Sequence, residues 1–222
     1  MLLEQLVQIP HGSVLDVGCG TGELLREVGL RFPETARTGL DLSANMLAVA
    51  REKLGGAVEL VQGDAERLPF ADGRFEVLLC NDSFHHYPNP GAAAAEFARV
   101  LQPGGVLLLG DCTAPAGLRG VANLFLPLSG EGDVRLYSGA ELAALAAESG
   151  TRAVVLAHLS RENNTPARAW ETAARRLRSM GCEPNLDLSL TVAPRSGLGP
   201  TYQLESGRVL QASPSGEEAA LC

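Results

Sequence analysis

Three glycines near the start of the chain have a spacing that suits contact with a small ligand. They are Gly18, Gly20 and Gly22, and they follow the apolar run 14–17 directly. A helical pattern begins at Glu23. A strand, a glycine turn and a helix in this order form the first half of a nucleoside-binding α/β unit. Glycine permits the sharp turn and lets a ligand approach backbone that a Cβ would shield.

The glycine spacing distinguishes two classes of nucleoside ligand. A dinucleotide fingerprint requires Gly-x-Gly-x-x-Gly, which would put its third glycine at position 23. That position is Glu23, and the glycine is Gly22. A carboxylate in the first turn of the helix would also repel a pyrophosphate, because a helix N-terminus is a site for anions. The pattern favours a ligand without phosphate and with a positive centre, and leaves an NAD-type dinucleotide-binding enzyme as the less favoured alternative.

An aspartate follows the second predicted strand, residues 36–40. Asp41 lies 23 residues after Gly18, close to the spacing at which an acidic residue meets a ribose. Two vicinal hydroxyls offer two donors, and an ionised carboxylate is purely an acceptor. The alternative is that Asp41 with Ser43 only caps the helix predicted over 44–54.

Two adjacent histidines follow the strand predicted over 75–79. Ligands of open α/β sheets bind at the carboxyl edge of the strands, and this strand delivers His85 and His86 to that edge. A histidine there could orient a substrate or take a proton from a nucleophile, and we name His86 as the catalytic candidate. The alternative is a histidine that hydrogen-bonds backbone at the mouth of a cleft.

The residues 14–24, with Asp16 before the glycines, resemble the first motif of the class I S-adenosylmethionine-dependent methyltransferases. The run 99–105, Arg-Val-Leu-Gln-Pro-Gly-Gly, resembles a further signature of that family. The resemblance covers residues 1–150 and is to the methyltransferase type 11 subgroup, which includes C-methyltransferases of the ubiquinone and menaquinone pathways. It implies S-adenosyl-L-methionine as the cofactor and a small molecule as the methyl acceptor.

The resemblance also implies which residues hold the cofactor. Asp41 would accept from the ribose, Asp64 would accept from the adenine amino group, and Asn81 to Ser83 would flank the methionine part. Asp64 could instead cap a turn. No metal site is expected. The full set expected to bind the cofactor is Asp16, Gly18, Cys19, Gly20, Asp41, Leu42, Met46, Asp64, Ala65, Asn81, Asp82 and Ser83.

These residues require a doubly wound, Rossmann-like α/β fold with a mostly parallel sheet. We predict the strand order 3-2-1-4-5, with the C-terminal segment adding edge strands. The apolar runs that predict strands after the first one are 36–40, 58–61, 75–79, 106–110, 154–159 and 186–192. The periodic segments that predict helices are 23–30, 44–54, 91–101, 139–149 and 165–180.

The C-terminal third departs from the pattern of the family, which continues after residue 153 with an antiparallel final strand. We divide the chain into a methyltransferase domain (1–150), an appended strand–helix–strand segment (151–194) and a disordered tail (195–222) rich in Ser, Gly, Pro and Glu. Residues 153–205 resemble the C-terminal end of a metallo-β-lactamase-fold hydrolase, which implies His158 as a metal ligand. One imidazole does not make a two-metal site, so no hydrolase activity is expected.

Composition excludes several other functions. The formal charge is −8, from 18 Lys and Arg against 26 Asp and Glu, and the basic residues form no stripe, so nucleic acid is not an expected partner. The longest apolar runs are too short for a membrane span. The 5 cysteines form no CxxC pair, which favours a cytoplasmic location. The predicted function is methyl transfer from S-adenosylmethionine to a small molecule; the alternative from another class is a cofactor-binding protein that transfers no methyl group.

Overall fold

The computed structural model describes residues 2–112, 114, 116–126, 132–157, 165–193, 202–205 and 208–211. The helices are α1 (Leu2–Leu6), α2 (Glu23–Arg31), α3 (Ala44–Leu54), α4 (Pro90–Val100), α5 (Ala116–Phe125), α6 (Gly139–Glu148) and α7 (Pro166–Ser179). Short 3₁₀ turns occupy Gly55–Ala57 and Phe84–His86. The strands are β1 (Ser13–Val17), β2 (Ala36–Asp41), β3 (Glu59–Gln62), β4 (Phe75–Asn81), β5 (Leu101–Gly110), β6 (Ala153–Ala157), β7 (Ser189–Val192), β8 (Tyr202–Glu205) and β9 (Arg208–Gln211).

Strands β1 to β7 form one parallel sheet in the order β3-β2-β1-β4-β5-β6-β7. The predicted fold class and the predicted order 3-2-1-4-5 are confirmed. The direction of progression through the sheet reverses between β1 and β4. In doubly wound sheets, the crevice at such a reversal is where ligands bind, outside the carboxyl ends of the strands.

The central strands are apolar because both of their faces are buried. Val77 and Leu79 of β4 point to one face, where they join a cluster that includes Leu6 of α1 and Val28 of α2. Their neighbour Leu78 points to the other face, where the cluster is built from α4, α6 and α7. The two clusters lie on opposite faces and pack the sheet between them, and this packing positions the strand ends.

The segment from β6 to β7 continues this sheet. Pro166 starts α7, and the Thr165 Oγ1 accepts a hydrogen bond from the Arg168 N–H at 3.2 Å, an N-cap of the kind the sequence predicts. The Trp170 Nε1 donates to the carbonyl of Leu190 at 3.0 Å, so this ring packs α7 on the sheet. The final edge strand differs from the antiparallel one expected of the family: β7 is parallel to β6, because a helix and not a hairpin connects them.

The last described residues form a separate two-stranded antiparallel sheet of β8 and β9. At these two four-residue strands the structure has regular pairing where a disordered tail was predicted. The remainder of the predicted tail, and His158 with the residues 159–164, lie outside the described residues. Among the helices that the structure describes, none has the length and apolar character needed to cross a bilayer.

Candidate functional site

A cavity of about 590 Å³ opens at the carboxyl edge of the sheet, beside the reversal between β1 and β4. Each of four strands contributes the residue that ends or follows it: Gly18 after β1, Asp41 at the end of β2, Gly63 after β3 and Ser83 after β4. The four motifs that the sequence places at separate strand ends therefore meet around one space.

The glycine loop forms one wall of this cavity and requires glycine. Gly18, Gly20 and Gly22 all have positive φ, at 73°, 53° and 75°. A Cβ on Gly18 would also overlap the side chain of Ser83, which lines the same cavity. The loop backbone is fixed to β2, because the Gly18 N–H donates to the carbonyl of Leu40 at 2.8 Å. Main-chain hydrogen bonds thus hold β2 directly against the loop.

Asp41 connects the glycine loop to helix α3. Its Oδ2 accepts from the backbone N–H of Gly20, and its Oδ1 accepts from the N–H of Ser43, both at 2.8 Å. The Ser43 Oγ in turn accepts from the Met46 N–H at 3.3 Å and is the N-cap of α3. The capping alternative raised by the sequence is therefore correct for Ser43. It does not exclude a ligand, because Asp41 also lines the cavity and a carboxylate has about four acceptor positions.

The loop after β3 carries Asp64 and is held by an arginine from α4. The Asp64 Oδ1 accepts from the Glu66 N–H at 2.9 Å, the local turn that the sequence offers as its alternative role. The Arg99 guanidinium donates to the carbonyls of Leu68 and Phe70, at 2.9 and 2.7 Å. Arg99 belongs to the signature run 99–105, so this run fixes the loop that carries Asp64.

A buried carboxyl group lies beneath the glycine loop. Asp16 is 2% exposed in β1, and its pKa is raised to about 7 by burial and, to a smaller extent, by the charge of Asp41. Glu23, at the start of α2, is exposed and bonded to Lys53 and Arg26, which lower its pKa to about 2. Because these two cations offset the charge of Glu23, its expected repulsion of a pyrophosphate is weak, and the argument against a dinucleotide depends on the glycine spacing.

A cluster of histidine and carboxylate side chains lies next to the cavity. The His85 Nδ1 is 2.5 Å from the Asp111 Oδ1, and this hydrogen bond raises the pKa of His85. His86 lines the cavity, and its Nδ1 lies 3.2 Å from both the Gly132 carbonyl and the Asp133 Oδ1. The alternative of a backbone hydrogen bond for His86 is thus present in the structure, together with access to the cavity.

The structure brings together part of the predicted site. The predicted residues that line the cavity are Gly18, Asp41, Leu42, Asp64, Ala65, Ser83 and His86. The predicted residues that do not line it are Asp16, Cys19, Gly20, Met46, Asn81 and Asp82. Sequence reasoning missed Tyr87, whose hydroxyl bonds the Ser83 Oγ at 2.7 Å, and Gly132 in the cavity wall. It also missed Asp111 beside His85, although Asp111 directly follows β5, just as Asp41 directly follows the predicted strand 36–40.

A second cavity, of about 510 Å³, lies at the opposite edge of the sheet, where β5 and β6 begin. Turn residues such as Gly104, Gly150 and Arg152 line it, and Arg99 is already bonded to loop carbonyls there. Ligands of parallel sheets bind at the carboxyl edge, so the first cavity is the candidate site.

Residues 15–109 match the family model described as a methyltransferase domain. A demethylmenaquinone methyltransferase of Deinococcus radiodurans is 39% identical over 116 residues, which are 51% of this chain and 48% of that protein. The chain thus spans about half the length of the curated relatives that it matches.

Two crystal structures have the same fold. The YcgJ protein of Bacillus subtilis is 30% identical with a TM-score of 0.59, over 67% of this chain and 66% of that one. A provisionally assigned methyltransferase of Bacillus halodurans is 25% identical with a TM-score of 0.61, and the comparison covers 94% of this chain and 90% of the other. The fold is the Rossmann-like fold of class I methyltransferases. The similarity extends beyond residue 150, into the part of the chain that we predicted to be an appended segment.

Proposed function

We propose that this chain, whose residues 15–109 match a methyltransferase domain model, transfers a methyl group from S-adenosyl-L-methionine to a small-molecule acceptor. One observation carries the proposal: the strand-end motifs of β1 to β4 converge on one cavity in a chain that matches the methyltransferase model. The glycine loop approaches this cavity with bare backbone, and Asp41 and Asp64 line it. These are the groups that an adenosyl ligand requires.

Each predicted cofactor contact has a proposed role in this cavity. Asp41 accepts from the ribose hydroxyls, using the acceptor positions that Gly20 and Ser43 leave open. Asp64 and the backbone of Ala65 contact the adenine, and Ser83 lies toward the methionine part. The sulfonium carries a positive charge, which the acidic lining tolerates and a phosphate-binding loop would not.

Methyl transfer from a sulfonium depends on alignment of the reacting atoms more than on acid or base catalysis. The departing sulfide needs no proton, so the protein's main contribution is to hold the nucleophile in line with the methyl group. Positioning of this kind lowers a barrier by up to about 7–11 kcal/mol. We propose that His86, in the wall of the cavity, orients the acceptor.

We propose an apolar acceptor, such as a quinone of the kind that the Deinococcus relative's name indicates. Helix α5 supports this choice, because four of its apolar side chains are 58–71% exposed: Leu118, Val121, Leu124 and Phe125. The Asn123 side chain exchanges two hydrogen bonds with the backbone of Leu136, at 3.0 and 2.8 Å. The same connection, residues 132–138, holds Asp133 against the histidines, so α5 is attached to the side of the site that would receive the acceptor.

We propose a cytoplasmic location and no nucleic-acid partner. The support is that the cysteines Cys19, Cys80, Cys112 and Cys182 are free, as expected in a reducing compartment, and that the chain is acidic. The resemblance of residues 153–205 to a metallo-β-lactamase-fold hydrolase adds nothing to the function. Its metal-ligand position, His158, lies outside the described residues, while β6, α7 and β7 continue the methyltransferase sheet.

Thermal melting tests the identity of the cofactor. S-adenosylmethionine or S-adenosylhomocysteine at a hundred times its dissociation constant should stabilise the chain by about 2.7 kcal/mol, and NAD should not. A shift with NAD and none with the two sulfur compounds would overturn the assignment in favour of a dinucleotide enzyme.

A second assay separates an enzyme from a binding protein. Release of S-adenosylhomocysteine is measured with demethylmenaquinone, with shorter-chain quinones and with polar amines as comparison acceptors. Release with a quinone supports the proposal in full. Cofactor binding without release on any acceptor would instead favour a protein that holds the cofactor and transfers nothing.

A further inference from the structure

We propose that His85, His86 and Asp133 form a site for one divalent transition-metal ion of the Zn²⁺ type, in the wall of the cofactor cavity. One ligand atom from each residue lies within 4.8 Å of the other two. Imidazole nitrogen and carboxylate oxygen are the donors that such ions take. The site is additional to the proposed methyl transfer, and nothing in that reaction requires it.

The distances between these donor atoms fit two ligands of one ion. The His86 Nδ1 also lies 3.2 Å from the Gly132 carbonyl, a contact that metal binding would replace. The Asp133 Oδ1 lies 3.2 Å from the His86 Nδ1 and 3.6 Å from the His85 Nε2. Two ligands bound tetrahedrally at 2.0–2.1 Å from one zinc ion are separated by about 3.3 Å. One carboxylate oxygen lies at about this spacing from two imidazole nitrogens. We therefore place the ion between these three atoms.

A buried carboxylate orients the first histidine. The Asp111 Oδ1 is 2.5 Å from the His85 Nδ1, so in the neutral ring that nitrogen carries the proton and Nε2 is the nitrogen available to a metal. Metal-binding histidines are characteristically oriented in this way by a carboxylate on the other ring nitrogen. Asp111 is 4% exposed, and its Oδ2 has no hydrogen-bond partner within the described part of the chain.

The separation expected between two ligands of one zinc ion also excludes a second group of residues as the metal site. His85, Asp111 and Cys112 also lie close together, with the Cys112 Sγ 3.5 Å from the His85 Nδ1. That trio would use the nitrogen which already makes the 2.5 Å contact with Asp111. This contact is a hydrogen-bond distance, much shorter than the ~3.3 Å that separates two ligands of one ion.

The backbone prearranges the three ligands. The carbonyl of His85 accepts from the N–H groups of Val134 and Arg135, at 2.9 and 3.1 Å, and so fixes Asp133 against the histidines. The His86 N–H donates to the carbonyl of Ser83 at 3.1 Å, which holds the 3₁₀ turn. The two imidazole centroids are 4.0 Å apart. Among the described residues, the ion pairs of Asp111 and Asp133 are all with these histidines, so a divalent cation would balance the two carboxylates.

Three protein ligands leave a position open on a tetrahedral ion. His86 and Gly132 line the cavity, so we place that open position on the cavity side, where an oxygen atom of an acceptor could occupy it. This consequence rests on the proposed function, whereas metal binding itself does not. A test of binding by the chain alone therefore separates the failure of one proposal from the failure of the other.

The experiment measures Zn²⁺ binding by the full chain after chelator treatment, in competition with a chromophoric chelator. Co²⁺ serves as the spectroscopic probe and Mg²⁺ as the comparison ion. We expect one equivalent of Zn²⁺, visible absorption bands of four-coordinate Co²⁺, and no competition from Mg²⁺. His86→Ala and Asp133→Asn should each weaken Zn²⁺ binding by at least about 100-fold, and Asp111→Asn by about 10–100-fold.

Two variants serve as matched controls, and circular dichroism checks that every variant is folded. His11→Ala removes a histidine that bonds the Ile9 carbonyl elsewhere in the fold, and Cys112→Ser removes the thiol beside His85. Both should bind Zn²⁺ as the unaltered chain does. The proposal is overturned if the chain binds no Zn²⁺, if His86→Ala and Asp133→Asn bind it unchanged, or if Cys112→Ser abolishes binding.

Discussion

The Asp41 Oδ2 accepts a hydrogen bond from the backbone N–H of Gly20 at 2.8 Å, and this bond joins the end of β2 to the glycine loop after β1. The second oxygen of the same carboxylate accepts from the Ser43 N–H, at the start of α3. One side chain therefore shapes two walls of the cavity before any ligand is present. A ligand that bonds this carboxylate meets an acceptor already held in place, so little conformational entropy is lost on binding.

Removal of this carboxylate should abolish the response to cofactor. Asp41→Ala deletes the acceptor for two ribose hydroxyls and also frees the Gly20 N–H, and we expect at least about 3 kcal/mol of lost binding, about 100-fold or more. Asp41→Asn keeps an oxygen for one backbone N–H and should lose about 1–2 kcal/mol. Thermal shifts with S-adenosylhomocysteine measure both. Glu52→Ala, an exposed acid on α3, is the control and should shift like the unaltered chain. An unchanged shift in Asp41→Ala would remove Asp41 from the site.

The first glycine of the loop should tolerate no side chain. Gly18→Ala places a Cβ on Ser83 and also puts an L-residue at φ 73°, which by itself costs roughly 1–2 kcal/mol. We expect a lower free energy of unfolding in urea and no measurable cofactor binding. Gly56→Ala is the matched control, because a Cβ there meets nothing within 4 Å, and it should behave as the unaltered chain. Equal stability and binding in the two variants would contradict the role given to Gly18.

The sequence predicts the fold well where a local pattern, such as a helix cap, indicates the same element that packing on the sheet requires. Helix 44–54 is predicted at its observed bounds, because Ser43 supplies the cap and Gly55 the end. The capping box of α6 is likewise present, with the Ser138 N–H and the Glu141 side chain 2.8 Å apart. Apolar runs predict the parallel strands, since burial on both faces needs no periodicity. The direction of β7 is missed because pairing with β6 is a long-range choice that no local pattern encodes.

The sequence predicts the residues of the candidate site that lie at the ends of strands. It misses those that lie in the longer connections between strands and helices. Asp41 ends β2 and Ser83 comes shortly after β4, and their place in the cavity is expected from the topology alone. Asp133 lies in a connection far along the chain, and backbone hydrogen bonds from the next two residues to the His85 carbonyl bring it to the histidines. Gly20 and Asp82 stand inside predicted motifs but do not line the cavity, because a turn directs only some of its residues toward it, and their contact with a ligand stays a prediction.

The arginine of the signature run should control the loop that carries Asp64. Arg99 donates to the carbonyls of Leu68 and Phe70 and pairs with Glu96 and Asp72. Arg99→Lys keeps the charge but cannot reproduce the planar fork, so we expect about 1–2 kcal/mol of lost stability in urea unfolding. Cofactor binding should weaken as well, because the loop is less well fixed.

A matched substitution tests whether the effect on stability is specific to the planar guanidinium of Arg99 or is shared by any surface arginine. Arg178→Lys alters an exposed ion pair with Glu183 at the end of α7 and should leave the free energy of unfolding almost unchanged. If Arg99→Lys and Arg178→Lys have the same small effect on stability and on cofactor binding, Arg99 does not organise the loop.

The buried carboxyl of Asp16 should make stability depend on pH in the direction opposite to that of a salt-bridged acid. Its pKa is about 7 in the folded chain and near the ordinary value when unfolded, so the folded state holds the proton more tightly. Its contribution is present in full below the unfolded pKa and is lost as pH rises toward 7. Between pH 5 and pH 7 the loss amounts to about 2–3 kcal/mol, since each pH step across this interval changes the free energy by ~1.4 kcal/mol.

Asp16→Asn removes this titration while keeping the size of the side chain. Urea unfolding of both chains at pH 5, 6, 7 and 8 gives the difference in free energy at each pH, which cancels the groups that the two chains share. Relative to the variant, the unaltered chain should lose stability from pH 5 to pH 7 and change little above that. Glu52→Gln, at an exposed acid on α3, should show no such trend. A difference between Asp16→Asn and the unaltered chain that stays constant from pH 5 to pH 8 would mean that Asp16 is ionised throughout, and that the glycine loop lies over a carboxylate charge and not over a neutral acid.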